Sequence, residues 1–294
     1  MRILVTGRDG QVARSLAERG GAHELIFAGR PELDLADFDS IERAVREARP
    51  DLVVSAAAYT AVDRAEDEPE LAMRVNGEAP GVLARAAREA GAPILHLSTD
   101  YVFDGNLDRP WHEADPVAPP GVYGESKLAG EEAVAASGAT YAIVRTAWVY
   151  SPFGANFVKT MLRLAESRDE LNVVEDQVGC PTSALDIADA LLAVAAAWRG
   201  DEERGANRIY HFAGTGETDW AIFARAIFAE SERLGGPAAR VNGIPSSAYP
   251  TKAKRPANSR LDCTRFAETF GHRAPEWRES LAPVVSRLIA APEA

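Results

Sequence analysis

Residues 2–6 (RILVT) form a short apolar, β-branched run that stops dead at Gly7. Val12, Leu16 and Ala17 then follow at helical spacing. This strand–turn–helix unit constrains the fold more than any other feature, because the pattern repeats. Residues 25–28 (LIFA), 51–55 (DLVVS), 94–97 (ILHL) and 141–144 (YAIV) read as further short strands. Between them lie helical stretches. One is expected to open at Asp39, with Glu42 completing a capping box, and to run to about Arg49 before Pro50 stops it. Another spans residues 76–90 and ends at Gly91. Strands apolar throughout, separated by helices, imply a parallel sheet covered on both faces. The fold class expected is α/β, a doubly wound parallel sheet.

The alternation weakens beyond about residue 150. Residues 172–174 and 208–212 read as strands, 187–198 and 220–234 as helices, and 235–258 as mostly loop. The expected organisation is a dinucleotide-binding domain of residues 1–148 and about 183–213. A smaller substrate domain takes about 149–182 and 214–294. A ligand belongs in the crevice between the two.

Charge narrows the partners. The net charge of −12 repels nucleic acid and anionic membranes, so neither is expected as a partner, and an anionic substrate must meet a local basic pocket. The longest uncharged apolar run, 190–198, is far shorter than the roughly 20 residues of a membrane span. Cys180 and Cys263 make neither a disulfide framework nor a zinc spacing. No signal peptide is read after MRILVTG, and a reducing cytoplasm is the expectation.

The loop between the first strand and helix, Gly7-Arg8-Asp9-Gly10-Gln11-Val12-Ala13, has the spacing G-x-x-G-x-x-A. Gly7 permits a tight turn, and Gly10 lets the backbone approach a pyrophosphate at the helix N-terminus. An acidic residue ending the second strand would bond the ribose 2′-hydroxyl of NAD. Here the chain reads Ala28-Gly29-Arg30, without a carboxylate. Arg8 and Arg30 instead suit a 2′-phosphate, which favours NADPH over NADH. Asp34 is expected to help hold the adenine end.

Tyr123 and Lys127 stand four apart, on one helical face, in a chain with only four lysines. Hydride transfer to a ketone leaves an alkoxide that needs a proton. A phenol is a weak acid at neutral pH, and a nearby ammonium lowers its pKa. Ser98-Thr99-Asp100 end the fourth strand, at the sheet edge where open α/β folds place ligands. A hydroxyl there can stabilise charge on a carbonyl oxygen.

TGRDGQVA (6–13), SAAAYTAVDRAEDEPELA (55–72), STDYVFDG (98–105), YGESKLAGE (123–131), RTAWVY (145–150), DQVGCPT (176–182) and RPANSRLD (255–262) together resemble the dTDP-4-dehydrorhamnose reductase family of extended short-chain dehydrogenases. STDYVFDG and RPANSRL are the specific segments, while the glycine loop and the Tyr/Lys pair are shared widely. The resemblance implies reduction of the C4 ketone of dTDP-4-dehydro-β-L-rhamnose with NADPH or NADH. It implies Tyr123 as proton donor, Lys127 as its activator and Thr99 as carbonyl partner. It implies cofactor contacts from Gly10, Gln11, Val12, Asp34, Leu35, Ala57, Ala58 and Tyr59, and sugar contacts from Asp100 and Trp148.

Two departures stand out. Ser55 occupies a usual Asn position, where little effect is expected. Ser15 replaces a glutamate that binds magnesium across a dimer interface in some members, so a monomer or a metal-independent homodimer is expected. Lys252, Lys254, Arg255 and Arg260 are the candidate basic pocket, with Arg255 or Arg260 clamping a diphosphate; Lys159 is a weaker candidate for facing the nucleotide. The rival readings are another nucleotide-sugar reductase, an epimerase, or a non-catalytic regulatory subunit. The Thr99, Tyr123 and Lys127 set argues against a pure binder.

Overall fold

The computed structural model describes residues 1–290. In chain order its elements begin β1 (Arg2–Thr6), α1 (Gln11–Arg19), β2 (Glu24–Ala28), α2 (Phe38–Ala48) and β3 (Leu52–Ser55). Two short helices, α3 (Val62–Ala65) and α4 (Pro69–Ala72), lead through a π-helical turn (Met73–Glu78) into α5 (Ala79–Glu89). Then come β4 (Ile94–Thr99), α6 (Val122–Ala135), β5 (Tyr141–Thr146), β6 (Val149–Tyr150), α7 (Phe157–Ala165), β7 (Glu170–Val174), β8 (Val178–Gly179) and β9 (Thr182–Ser183). The chain continues with α8 (Ala184–Gly200), β10 (Arg208–His211), β11 (Thr218–Asp219), α9 (Trp220–Arg233), β12 (Arg240–Ile244), α10 (Thr264–Phe270) and α11 (Trp277–Ala290).

Six parallel strands form the central sheet in the order β10-β5-β4-β3-β1-β2. The order reverses between β1 and β3, so the doubly wound fold opens its ligand crevice beyond their carboxyl ends. One face packs Ile3, Val5, Val54 and Leu95 against α1 and α8. The other packs Leu4, Val53, Ile94 and Ile143 against α2, α5 and α6. A separate apolar cluster, centred on Phe223, Ile227, Trp277 and Val284, builds the C-terminal part.

The five strands of the first half fall where their apolar runs put them, because strands buried on both faces advertise themselves. Two local expectations fail. Asp39 does not cap α2: the helix starts at Phe38, its N-cap residue is Asp37, and no side chain caps it. Ser40 instead bonds the carbonyls of Asp34 and Asp37, which fixes the entry to the helix. Residues 235–258 are mostly loop as expected, with one strand inside them, β12, which pairs in parallel with β7 over five residues. The helix expected from residue 76 starts earlier, at Pro69, and reaches residue 76 through the π turn. Among the described residues no helix is long and apolar enough to cross a membrane.

Candidate active site

The glycine loop crosses the switch point between β1 and β3. Gly7 sits at φ +90°, a left-handed conformation that L side chains resist, and its N–H bonds Ala28 O at 2.7 Å. A Cβ there would lie 3.3 Å from that of Ala57. Gly10 opens α1 with no side-chain cap and no acidic residue in the first turn. A Cβ on Gly10 would meet nothing, so it faces empty space at a helix N-terminus whose N–H groups lack a capping side chain. That hollow and its positive dipole fit the pyrophosphate of a dinucleotide. Gln11 Oε1 accepts bonds from Ser151 Oγ (2.8 Å) and Asn156 Nδ2 (3.1 Å), tying the loop to residues 151–156. Val12 packs on the sheet, and Ser15 is buried and bonded to Gln11 O.

Across the crevice, the Ala57-Ala58-Tyr59 turn hangs on two polar anchors. Thr6 Oγ1 accepts from the N–H of Ala56 and Ala57 at 3.0 and 3.1 Å. Asn76, buried in the π turn, accepts from Tyr59 N at 2.8 Å and donates to Tyr59 O at 3.0 Å. Asp34 Oδ1 receives Ala36 N, and Leu35 packs against the sheet. Arg30 is exposed beside them. Arg8 is ion-paired with Glu32 at 2.9 Å, so a carboxylate does stand near the end of β2, two residues past Arg30.

The proton-transfer set is built by α6 crossing the end of β4. The crossing is tight at Gly124, where a Cβ would stand 2.2 Å from Tyr101 O. It brings Tyr123 edge-on to Tyr101, ring centroids 5.4 Å apart, with the Thr99 hydroxyl near enough to act on the phenol. Burial and the Asp100 charge push the Tyr123 phenol above its usual range, and the Thr99 hydroxyl pulls the other way. The Tyr123 proton is therefore held firmly at neutral pH. Lys127 Nζ donates to Leu97 O at 2.7 Å and lies 3.5 Å from His96 Nε2. Burial lowers Lys127 to about 8, opposed by Glu131. In this geometry the ammonium points at the Leu97 carbonyl, and it is not among the influences on the Tyr123 phenol. Ser55 has a specific partner after all: its hydroxyl meets His96 Nδ1 at 3.0 Å.

Asp100 is buried, and burial raises it to about 6 against hydrogen bonds from Ser259 and Thr99. Its Oδ2 has no partner among the described residues. Ser259 was not singled out in the sequence, though it lies inside RPANSRLD. A cavity opens beside Ser259, lined by that residue with Tyr101, Trp148, Gln177, Trp220 and Arg255. Arg255 pairs with Asp63 at 2.8 Å while lining the cavity, and Lys252 pairs with Asp67. Arg260 turns elsewhere, to Glu217, Asn258 and Asp108 O, so its fork is engaged in structure.

The chain matches the RmlD substrate binding domain over residues 1–289. It is 48% identical to a dTDP-4-dehydrorhamnose reductase of Sinorhizobium fredii, covering 98% of both chains. It belongs to the dTDP-4-dehydrorhamnose reductase family. Another reductase of this name, from Escherichia coli K12, is 42% identical over 98% of each chain. Among solved structures, the family's member from Clostridium acetobutylicum superposes with a TM-score of 0.89 at 38% identity, covering 98% of this chain and 99% of that one. The reductase of Bacillus anthracis, solved in complex with NADP, gives 0.88 at 32%, covering 96% and 98%. The family's fold is thus shared over nearly the whole chain.

Proposed function

We propose that this chain reduces the C4 ketone of dTDP-4-dehydro-β-L-rhamnose to the alcohol of dTDP-L-rhamnose, using NADPH. The observation that carries the reading is the placement of the Thr99 hydroxyl, at the carboxyl end of β4, near the Tyr123 phenol, one helical turn from Lys127 on α6. The names of the relatives supply the substrate, and the NADP complex of the Bacillus anthracis relative supports the cofactor. NADH is the alternative.

Bound NADPH supplies a hydride to the carbonyl carbon. Gly7, Gly10, Gln11, Val12, Arg30, Asp34, Leu35, Ala57, Ala58 and Tyr59 line the groove that would hold it, with Tyr123 and Lys127 at its inner end. Thr99 and Tyr123 hold the ketone oxygen, and Tyr123 passes it a proton. The transfer runs downhill because an alkoxide is a much stronger base than a phenolate. Such acid catalysis contributes roughly 10²–10⁴ in rate. Lys127, anchored on the Leu97 carbonyl, offers its ammonium to the nicotinamide ribose. Asp100 and Trp148 face the sugar, and Arg255 gives the diphosphate a local cation in a chain of net charge −12.

The apolar clusters support the division made from the sequence. Residues 1–148 and about 183–213 build the dinucleotide half, with α8 and β10 returning to the sheet. Residues of about 149–182 and 214–294 build the sugar half largely around their own cluster, while Phe266, Phe270 and Ala274 pack on the sheet side. The burial of Ser15 supports a monomer or a dimer formed without metal. A cytoplasmic location follows from the nucleotide-sugar chemistry. The direct test is loss of NADPH absorbance when the 4-dehydro sugar is added; a protein that binds NADPH and oxidises none of it refutes the reading.

A further inference from the structure

The cavity beside Ser259 has an aromatic wall that the proton-transfer chemistry does not require. Trp148 and Trp220 lie ring on ring, centroids 3.5 Å apart and planes within 11°, and both line the cavity. Trp148 adopts φ +50°, a left-handed conformation that non-glycine residues rarely take. Gly179 packs so closely on the same indole that a Cβ would stand 2.5 Å from its Cε2. Trp220 is fixed as firmly. Asp219 pairs with Val178 in the β8–β11 ladder and caps α9 through Ile222 N at 2.7 Å, and Phe157 packs 4.6 Å from the Trp220 ring. Three elements thus converge to present the indole pair. Core filling does not explain it, because Trp198 and Trp277 are fully buried while Trp148 and Trp220 stay partly open to the cavity.

Its position says what it meets. Thr146 is the register partner of Thr99, and Trp148 follows two residues later. The indole pair thus lines the same cavity as Tyr101, which stands two residues past Thr99 on the neighbouring chain segment. This step rests on the ketone reduction proposed above: of the two ring positions beside C4, the apolar wall suits the substituent on C5, which is carbon rather than a ring hydroxyl. In a 6-deoxy sugar that substituent is a methyl group.

We infer that Trp220, stacked on Trp148, is a specificity-determining residue that selects a 6-deoxy sugar over its 6-hydroxy counterpart. A methyl gains by leaving water for the indole faces. A hydroxyl placed there loses its water and meets aromatic carbon instead of a hydrogen-bond partner.

The test is the ratio of dissociation constants for dTDP-L-rhamnose and its 6-hydroxy analogue dTDP-L-mannose, measured by calorimetry with NADP present. Wild type is expected to prefer the deoxy sugar about tenfold or more. Trp220→Leu is expected to bring that ratio close to one, with NADP affinity unchanged, and Trp220→Phe to fall between. No preference in the wild type, or a ratio unmoved in the variants, overturns the inference. Should Trp220→Leu fail to fold, Trp220→Phe and the wild-type ratio still decide it. The binding ratio needs no turnover, so failure of the reductase reading shows separately, as absent NADPH oxidation by the wild type.

Discussion

Glu131 grips Arg145 with both carboxylate oxygens, at 2.8 and 2.6 Å, and both side chains are almost wholly buried. The pair locks α6 to β5, and it places Glu131 one turn beyond Lys127, two turns beyond Tyr123, on the same face of the helix. Removing one partner strands a buried charge. Glu131→Gln is expected to cost about 3–5 kcal/mol in urea unfolding at pH 7. The double change Glu131→Leu with Arg145→Leu is expected to recover most of that loss, since no charge is then left alone. A loss below about 1 kcal/mol for the single variant, the range of an exposed pair, contradicts the assignment.

Lys127 sets an alkaline limit on activity. Burial brings it from 10.5 down to about 8, with Glu131 opposing. A depressed lysine loses its proton as pH rises through the folded value, so the charged form holds below about pH 8. The kcat/KM profile is expected to fall through about pH 8. An alkaline limb beyond pH 10 would separate Lys127 from catalysis.

Asp100 is costly to the fold at neutral pH. Burial raises it from 3.8 to about 6. Between those values the native state holds a proton that the unfolded chain has lost, so stability falls as pH rises through the window. The rise corresponds to about 3 kcal/mol at most. Asp100→Asn is expected to match wild type near pH 4, become more stable by up to that amount between pH 4 and 6, and hold the gain above. Thermal melts across pH 4–8 check this, and a gain already complete at pH 4 disagrees. The same variant is expected to bind the sugar more weakly.

The two loop glycines are separable. Gly10 has φ −68° and open space beside it, so Gly10→Ala is expected to leave the melting temperature unchanged or slightly raised. Its methyl enters the pyrophosphate hollow, and NADPH affinity is expected to drop about tenfold or more, close to 1.4 kcal/mol. Gly7→Ala meets the left-handed strain at φ +90° and is expected to destabilise the fold by about 1–2 kcal/mol. Calorimetric titration with NADPH, beside melts of both variants, distinguishes them. Unchanged NADPH affinity in Gly10→Ala removes the loop from the cofactor groove.

The sheet was readable because its strands are buried on both faces: β1, β3, β4 and β5 are nearly unbroken apolar runs. β12 escaped because it is only partly buried, and its sequence RVNGI carries no such run. The Asp39 cap failed for a tertiary reason, since Ser40 is drawn to the carbonyls of the loop before α2. In the site, Tyr123, Lys127 and the glycine loop were legible because their spacing is local. Asn76 and Ser259 were not, because their partners lie far along the chain: Asn76 reaches Tyr59 and Ser126, and Ser259 reaches Asp100. Ser55 illustrates the same limit, as its partner His96 sits on the next strand.

Tyr123→Phe tests the central claim most directly. The change removes the hydroxyl near Thr99 while leaving the ring against Tyr101 and the cofactor groove untouched. NADPH oxidation would be followed with dTDP-4-dehydro-β-L-rhamnose as substrate, and NADPH affinity measured alongside. The expected result is wild-type affinity for NADPH with turnover reduced by roughly 10²–10⁴. Turnover equal to wild type would show that the proton comes from elsewhere.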